Sequence, residues 1–178
     1  MSVFLQPLQT VTVGTGGSSP ITFSNIPQGF TDLRLEISAR EVSGSGAAGL
    51  NLYFNTEILT TTNYSVTRAF GTGSAVGSDT SGANQGGLFF GNITNTAGTT
   101  SNTFSSISIY IPNYAGSNYK SIILDGVEEN NGTTAYQNLY AGLWRSTSAI
   151  NTISIYSGSS NYGQYSKFSL YGVLRQGI

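Results

Sequence analysis

The residues best placed to do chemistry form one acidic run, Asp125-Gly126-Val127-Glu128-Glu129-Asn130-Asn131-Gly132. Two carboxylates facing one cleft are what glycoside hydrolysis requires. Carboxylates with amide oxygens nearby are also what calcium takes. The flanking glycines and asparagines read more naturally as a strand-to-strand turn, and the spacing fits neither an EF-hand loop nor a nonapeptide calcium repeat. Histidine and cysteine are absent, so Ser-His-Asp and Cys-His sets cannot be built. A serine–lysine pair would have to use Lys120 or Lys167, whose serine neighbours reflect only how common serine is. Gly71-Thr72-Gly73-Ser74-Ala75-Val76-Gly77 has the outline of a dinucleotide fingerprint, but no helical pattern follows it, so it reads as a loop. The expectation is a chain without catalytic residues, metal ligands or cofactor.

Composition narrows the partners. Charged residues are 8% of the 178, seven basic and eight acidic, for a net charge of −1, where ordinary soluble proteins carry about 25%. With no basic run, counterion release at phosphates has little to work on, and nucleic acid is not expected as a partner. No stretch approaches the ~20 apolar residues of a membrane span, nor does the opening Met1-Ser2-Val3-Phe4-Leu5-Gln6-Pro7 carry a secretion signal. Near-zero charge removes repulsion between copies, which suits a protein that assembles.

The elements that must position these groups are strands. In Asp32–Arg40, Leu33, Leu35, Ile37 and Ala39 alternate with Asp32, Arg34, Glu36, Ser38 and Arg40, the period of a half-buried strand. The same period recurs at Leu50, Leu52 and Phe54, at Tyr64, Val66, Arg68 and Phe70, and at Ile107, Ile109 and Ile111. Tyr119–Asp125, Tyr136–Trp144, Ile150–Tyr156 and Tyr165–Leu174 follow, with Gln9–Val13, Ile21–Phe23 and Leu88–Phe90 earlier. Roughly ten strands in one domain, 1–178, is the pattern of a sandwich or barrel. Asn55–Asn63 reads as a helical turn or an irregular crossover. Val42–Gly49, Gly71–Gly87 and Asn92–Thr103 read as polar loops, and the second is long enough to need a neighbour to order it.

Nine of the eleven tyrosines fall in the second half. Tyrosine gives rigid contact area at low entropic cost, so tyrosine-bearing strand faces suit interfaces. Tyr110, Tyr114, Tyr119, Tyr136, Tyr140 and Trp144, with Phe4 and Leu5 of an extended segment Met1–Leu8, are the candidate interface residues. Trp144 shares its strand parity with Tyr136, Asn138 and Tyr140, opposite Leu139, Ala141 and Leu143. Exposed, it would be a stacking platform for sugars; buried, it would speak for a structural role.

Several segments together resemble small virion proteins of tailed bacteriophages. They are Phe4-Leu5-Gln6-Pro7-Leu8-Gln9-Thr10-Val11, Ile21–Leu33, Asn51-Leu52-Tyr53-Phe54-Asn55 with Asn63-Tyr64-Ser65, Ile111-Pro112-Asn113-Tyr114 with Tyr119-Lys120-Ser121, and Phe168-Ser169-Leu170-Tyr171-Gly172-Val173. The resemblance implies a jelly-roll-like β-sandwich, trimeric, on the exterior of a phage particle after synthesis in the host cytoplasm. It would serve there as a capsid decoration (cement) protein bound to the major capsid protein, or as a tail-fibre module on host glycans. It brings no active-site residues with it.

Overall fold

A computed structural model describes residues 3–175. Its strands are β1 (Val3–Thr12), β2 (Ile21–Phe23), β3 (Asp32–Ala39), β4 (Ala48–Phe54), β5 (Tyr64–Gly71), β6 (Val76–Gln85), β7 (Leu88–Thr94), β8 (Ser105–Pro112), β9 (Lys120–Glu128), β10 (Tyr136–Trp144), β11 (Ile153–Ser157) and β12 (Lys167–Arg175). Met1 and Ser2 of the expected N-terminal segment, and residues 176–178, lie outside the described residues. Among the described residues there is no helix; Asn55–Asn63 is the irregular crossover of the two readings.

Two antiparallel sheets enclose one apolar core. The larger has the order β1-β12-β3-β8-β9-β10-β5-β6 and the smaller β2-β11-β4-β7. Four nested antiparallel pairs, β1 with β12, β2 with β11, β3 with β8 and β4 with β7, wrap as a jelly-roll-like sandwich. Two hairpins, β5–β6 and β9–β10, are inserted into this ribbon. They pair with each other and extend the larger sheet on one side.

Alternation explains the nested part. Leu33, Leu35 and Ile37 of β3 pair with Ile111, Ile109 and Ile107 of β8, and all six are buried. Full burial of each such side chain stabilises by about 1.5–3 kcal/mol. The smaller sheet answers with Leu50, Leu52, Phe54, Ile153 and Ile155.

The structure departs from what the sequence suggests in four places, three in this extension and one at β1. Gly71–Gly87 is no loop: Val76–Gln85 forms β6, hydrogen-bonded along β5. Its sequence has no apolar face to reveal it, because pairing comes from the backbone and from Arg68 Nε, which donates to Asp79 Oδ1 at 3.1 Å. Only the first half of the acidic run is strand, since β9 continues through Glu128; Glu129–Gly132 opens the connection to β10. On β10 the inward parity is Asn138, Tyr140, Gly142 and Trp144, while Leu139 is 50% exposed. The described part of the Met1–Leu8 segment pairs on one side with β12 of its own chain and forms the edge of the larger sheet.

Close approach of the layers depends on two glycines. A Cβ at Gly126 would lie 2.3 Å from Ile93 Cδ1, and one at Gly142 would lie 2.9 Å from Leu88 Cδ2. Both glycines therefore let β7 settle onto β9 and β10. The open edge of β7 is capped by the sheet beneath it. Tyr140 OH donates to the Gly91 carbonyl, and Asn138 Nδ2 donates to Asn92 O at 2.8 Å.

Candidate functional site

Charged residues placed on inward parities are where catalysis would be sought. Lys120 pairs with Trp144 across β9 and β10 and is fully buried. Its Nζ donates to the carbonyls of Gly116 at 2.7 Å, Ser148 at 2.6 Å and Ser146 at 3.4 Å. The indole of Trp144 lies 5.4 Å from the ammonium, a cation–π distance. Burial pushes the lysine pKa down, but three carbonyls take its three protons, leaving it no serine hydroxyl as a partner. It ties the 116 and 146–148 loops together. Lys167 lies exposed on the opposite, outer face.

Glu41 behaves similarly as an anion. Its carboxylate accepts from the backbone N–H groups of Gly158 at 3.1 Å, Ser159 at 3.2 Å and Ser160 at 3.0 Å. Burial raises its pKa against these bonds. Asp125 and Glu129 face outward while Glu128 faces the core, so the three acids of the run do not line one cleft. The alternation of β9 separates them, and the paired-carboxylate arrangement considered from sequence is not formed.

Of the candidate interface residues, three belong to the interior. Trp144 is buried, with ring centroids 5.2 Å from Phe54 and 6.3 Å from Tyr64. Its Nε1 donates to Glu57 Oε2 at 2.9 Å. Tyr140 packs edge-on against Phe90, and Tyr114 donates to the Pro27 carbonyl. None of the three is available to sugars or to another protein. Aromatic bulk long enough to span the layers, with a polar tip that meets a backbone carbonyl or an acid, explains why this parity turns inward.

Phe4, Leu5 and Tyr119 are exposed, and Tyr110 and Tyr136 are half-buried. Phe4 and Leu5 stand on the edge strand β1. Tyr110 points outward and donates to Asp32. Across the outer face its row runs Tyr171, Arg34, Tyr110, Ile123, Ala141 and Thr67. The next row runs Glu36, Ser108, Asp125, Leu139 and Ala69. Leu139 is the diagonal neighbour of both Ile123 and Val127, and the three are 50%, 49% and 39% exposed. They surround Asp125, which stands directly across from Leu139, with the Arg34–Glu36 ion pair on one flank.

This patch is hidden in the sequence because Leu139, Ala141 and Leu143 look like the apolar side of β10. The signal available was Gly142 among the aromatics, a sign of close layer packing. Arg68 shares the inward parity of Tyr64 and Val66 on β5. It pairs with Asp79 and lies 4.1 Å from the Phe70 ring centroid, at an open cleft of about 380 Å³ beside β7. Comparison with family models, curated proteins and solved structures finds no match to this chain.

Proposed function

We propose that this chain is a structural protein of a bacteriophage particle, an outer capsid cement protein that joins copies of itself and the capsid lattice. The observation that carries the assembly part of this reading is the bare outer face of the eight-stranded sheet. Its centre exposes the apolar Ile123, Val127 and Leu139 around the single acid Asp125, and the chain's net charge of −1 offers little repulsion between copies. Exposed apolar patches rimmed by polar groups mark interaction sites. The phage setting rests on the resemblance of the strand and turn segments. The tail-fibre alternative leaned on an exposed Trp144, and the buried indole withdraws that support.

Light scattering and shell binding test the proposal. The purified protein is expected to be oligomeric, as a trimer, and to bind phage shells stripped of decoration, raising their resistance to heat. Ile123→Lys with Leu139→Lys is expected to abolish both while leaving the melting temperature nearly unchanged. A wild-type monomer at micromolar concentration that ignores such shells would overturn it.

A further inference from the structure

We propose that the cleft between the edge of β7 and the β5–β6 hairpin is a binding site for a neutral sugar, a mono- or disaccharide. Arg68, Asp79 and Asn92 would take its hydroxyls, and Phe89 its apolar face. The site owes nothing to the outer face, because Arg68 stands on the opposite, inward parity of the larger sheet.

The unequal width of the two sheets makes the cleft. Eight strands face four, with β6 at the edge of the larger sheet and β7 at the edge of the smaller. Tyr140 and Asn138 of β10 reach up to carbonyls of β7, so β5 and β6 continue past the strand that should cover them. The space left beside β7 is about 380 Å³, lined from both sheets, at the small end of the range of about 300–1,000 Å³ for ligand sites. Gly91 keeps it open. A Cβ there would lie 4.0 Å from Arg68 Nη1, so a longer side chain would cover the guanidinium.

The polar groups are held in place with bonding capacity to spare. The Arg68 side chain is only 10% exposed. Its Nε and Nη2 are fixed on Asp79 at 3.1 and 2.5 Å, and its guanidinium carbon lies 4.1 Å from the Phe70 ring centroid. Nη1 makes only long contacts, 3.4 Å to Tyr140 OH and 3.5 Å to the Gly91 carbonyl. An oxygen placed in the cleft would improve on these, and buried donors reward such a partner. The Asp79 side chain is 54% exposed and presents acceptors at the rim. Asn92 sits in the left-handed region at φ 51°, which asparagine tolerates. Its carbonyl is taken by Asn138, but among the described residues nothing hydrogen-bonds its side-chain amide.

This set of groups matches a pyranose. Neighbouring sugar hydroxyls each donate and accept, and an ion pair beside a free amide offers both functions within one site. Phe89 is half-buried and held edge-on by Tyr53, with ring centroids 6.3 Å apart, a rigid platform for the C–H face of the ring. The Arg68–Asp79 pair is neutral as a unit, which disfavours phosphate and carboxylate ligands. A peptide strand added to β7 would need its edge carbonyls, and those of Gly91 and Asn92 already accept from Tyr140 and Asn138. A small ligand in an open cleft makes few contacts, so affinity falls in the millimolar range.

Saturation-transfer NMR on the full chain, with glucose, galactose, mannose and N-acetylglucosamine as probes, tests the site. At least one of these is expected to give saturable transfer, and glucuronic acid to bind no better. Phe89→Ala and Asn92→Ala should each weaken that sugar roughly tenfold, and Gly91→Leu should abolish its binding with the melting temperature nearly unchanged. Ile123→Lys with Leu139→Lys should keep the sugar signal while losing association, so the failure of either proposal is visible without the other. No saturable transfer from any of the probes, or equal transfer in Gly91→Leu, would overturn the site. A preference for glucuronic acid would overturn it too, since Arg68 would then be acting as a bare cation. If Gly91→Leu does not fold, Phe89→Ala and Asn92→Ala decide between the same outcomes.

Discussion

The nested jelly-roll-like ribbon and the two-hairpin extension are built from the same strand geometry but filled differently. Between β3, β8, β12 and the smaller sheet, inward positions are mostly leucine, isoleucine and phenylalanine. In β9, β10 and β5 the inward positions include Lys120, Glu128, Asn138, Tyr140 and Arg68. Apolar side chains need only be covered, whereas each polar one needs a partner at a fixed distance. The ribbon is therefore specified by pattern, and the extension by particular contacts: an ammonium on three carbonyls, an indole on an acid, a phenol on an edge carbonyl.

Trp144→Ala should separate the two regions most sharply. Removing a buried indole costs about 3–5 kcal/mol, measured by denaturant unfolding, and here also leaves Glu57 without the indole donor. Hydrogen exchange should quicken in β5, β6 and β10 before β3 and β12. Equal loss of protection throughout would mean that the regions are one cooperative unit and would erase the distinction. Gly126→Ala comes next, at about 1–3 kcal/mol, because its methyl would meet Ile93 Cδ1. Adding Ile93→Val removes that atom and should recover part of the loss; no recovery would show that backbone conformation, not layer contact, fixes the glycine.

The smallest effect expected is a tilt with pH at Glu41, in the ribbon. Its folded pKa is raised by burial, so its favourable contribution is complete below the unfolded value of about 4.3. That contribution is lost as pH rises through the folded value. The stability of wild type relative to Glu41→Gln should therefore increase as pH falls from neutral towards that range. A difference that does not vary with pH would show that the backbone N–H groups of 158–160 fully offset the burial.

This contrast also explains how much the sequence reveals by itself. β3 and β8 are legible because each alternates apolar and polar residues against a covered face. β6 is not, because Val76–Gln85 offers glycine, serine and threonine, and its place depends on backbone pairing and the Arg68–Asp79 contact. The direction of β10 is misleading because hydrophobicity favours Leu139 and Leu143, while volume and polar partners put Tyr140 and Trp144 inside. Among the candidate interface residues, Phe4, Leu5 and Tyr119 are at the surface. The apolar patch at Ile123 and Leu139 becomes visible only once the register of β8, β9, β10 and β5 is known.

The sheet order has a consequence for synthesis. β1 has β12 as its sheet neighbour, so of the described strands the earliest made must wait for the latest. Until then its Phe4, Leu5, Leu8 and Val11 are presented without a partner, the condition under which nascent strands stick to one another. Pro7, and the register shift between Pro7 and Gln9, interrupt that strand where an unwanted ladder would form. A proline and a misaligned residue at the sheet edge thus act as a guard during translation, keeping copies apart until each has closed on itself.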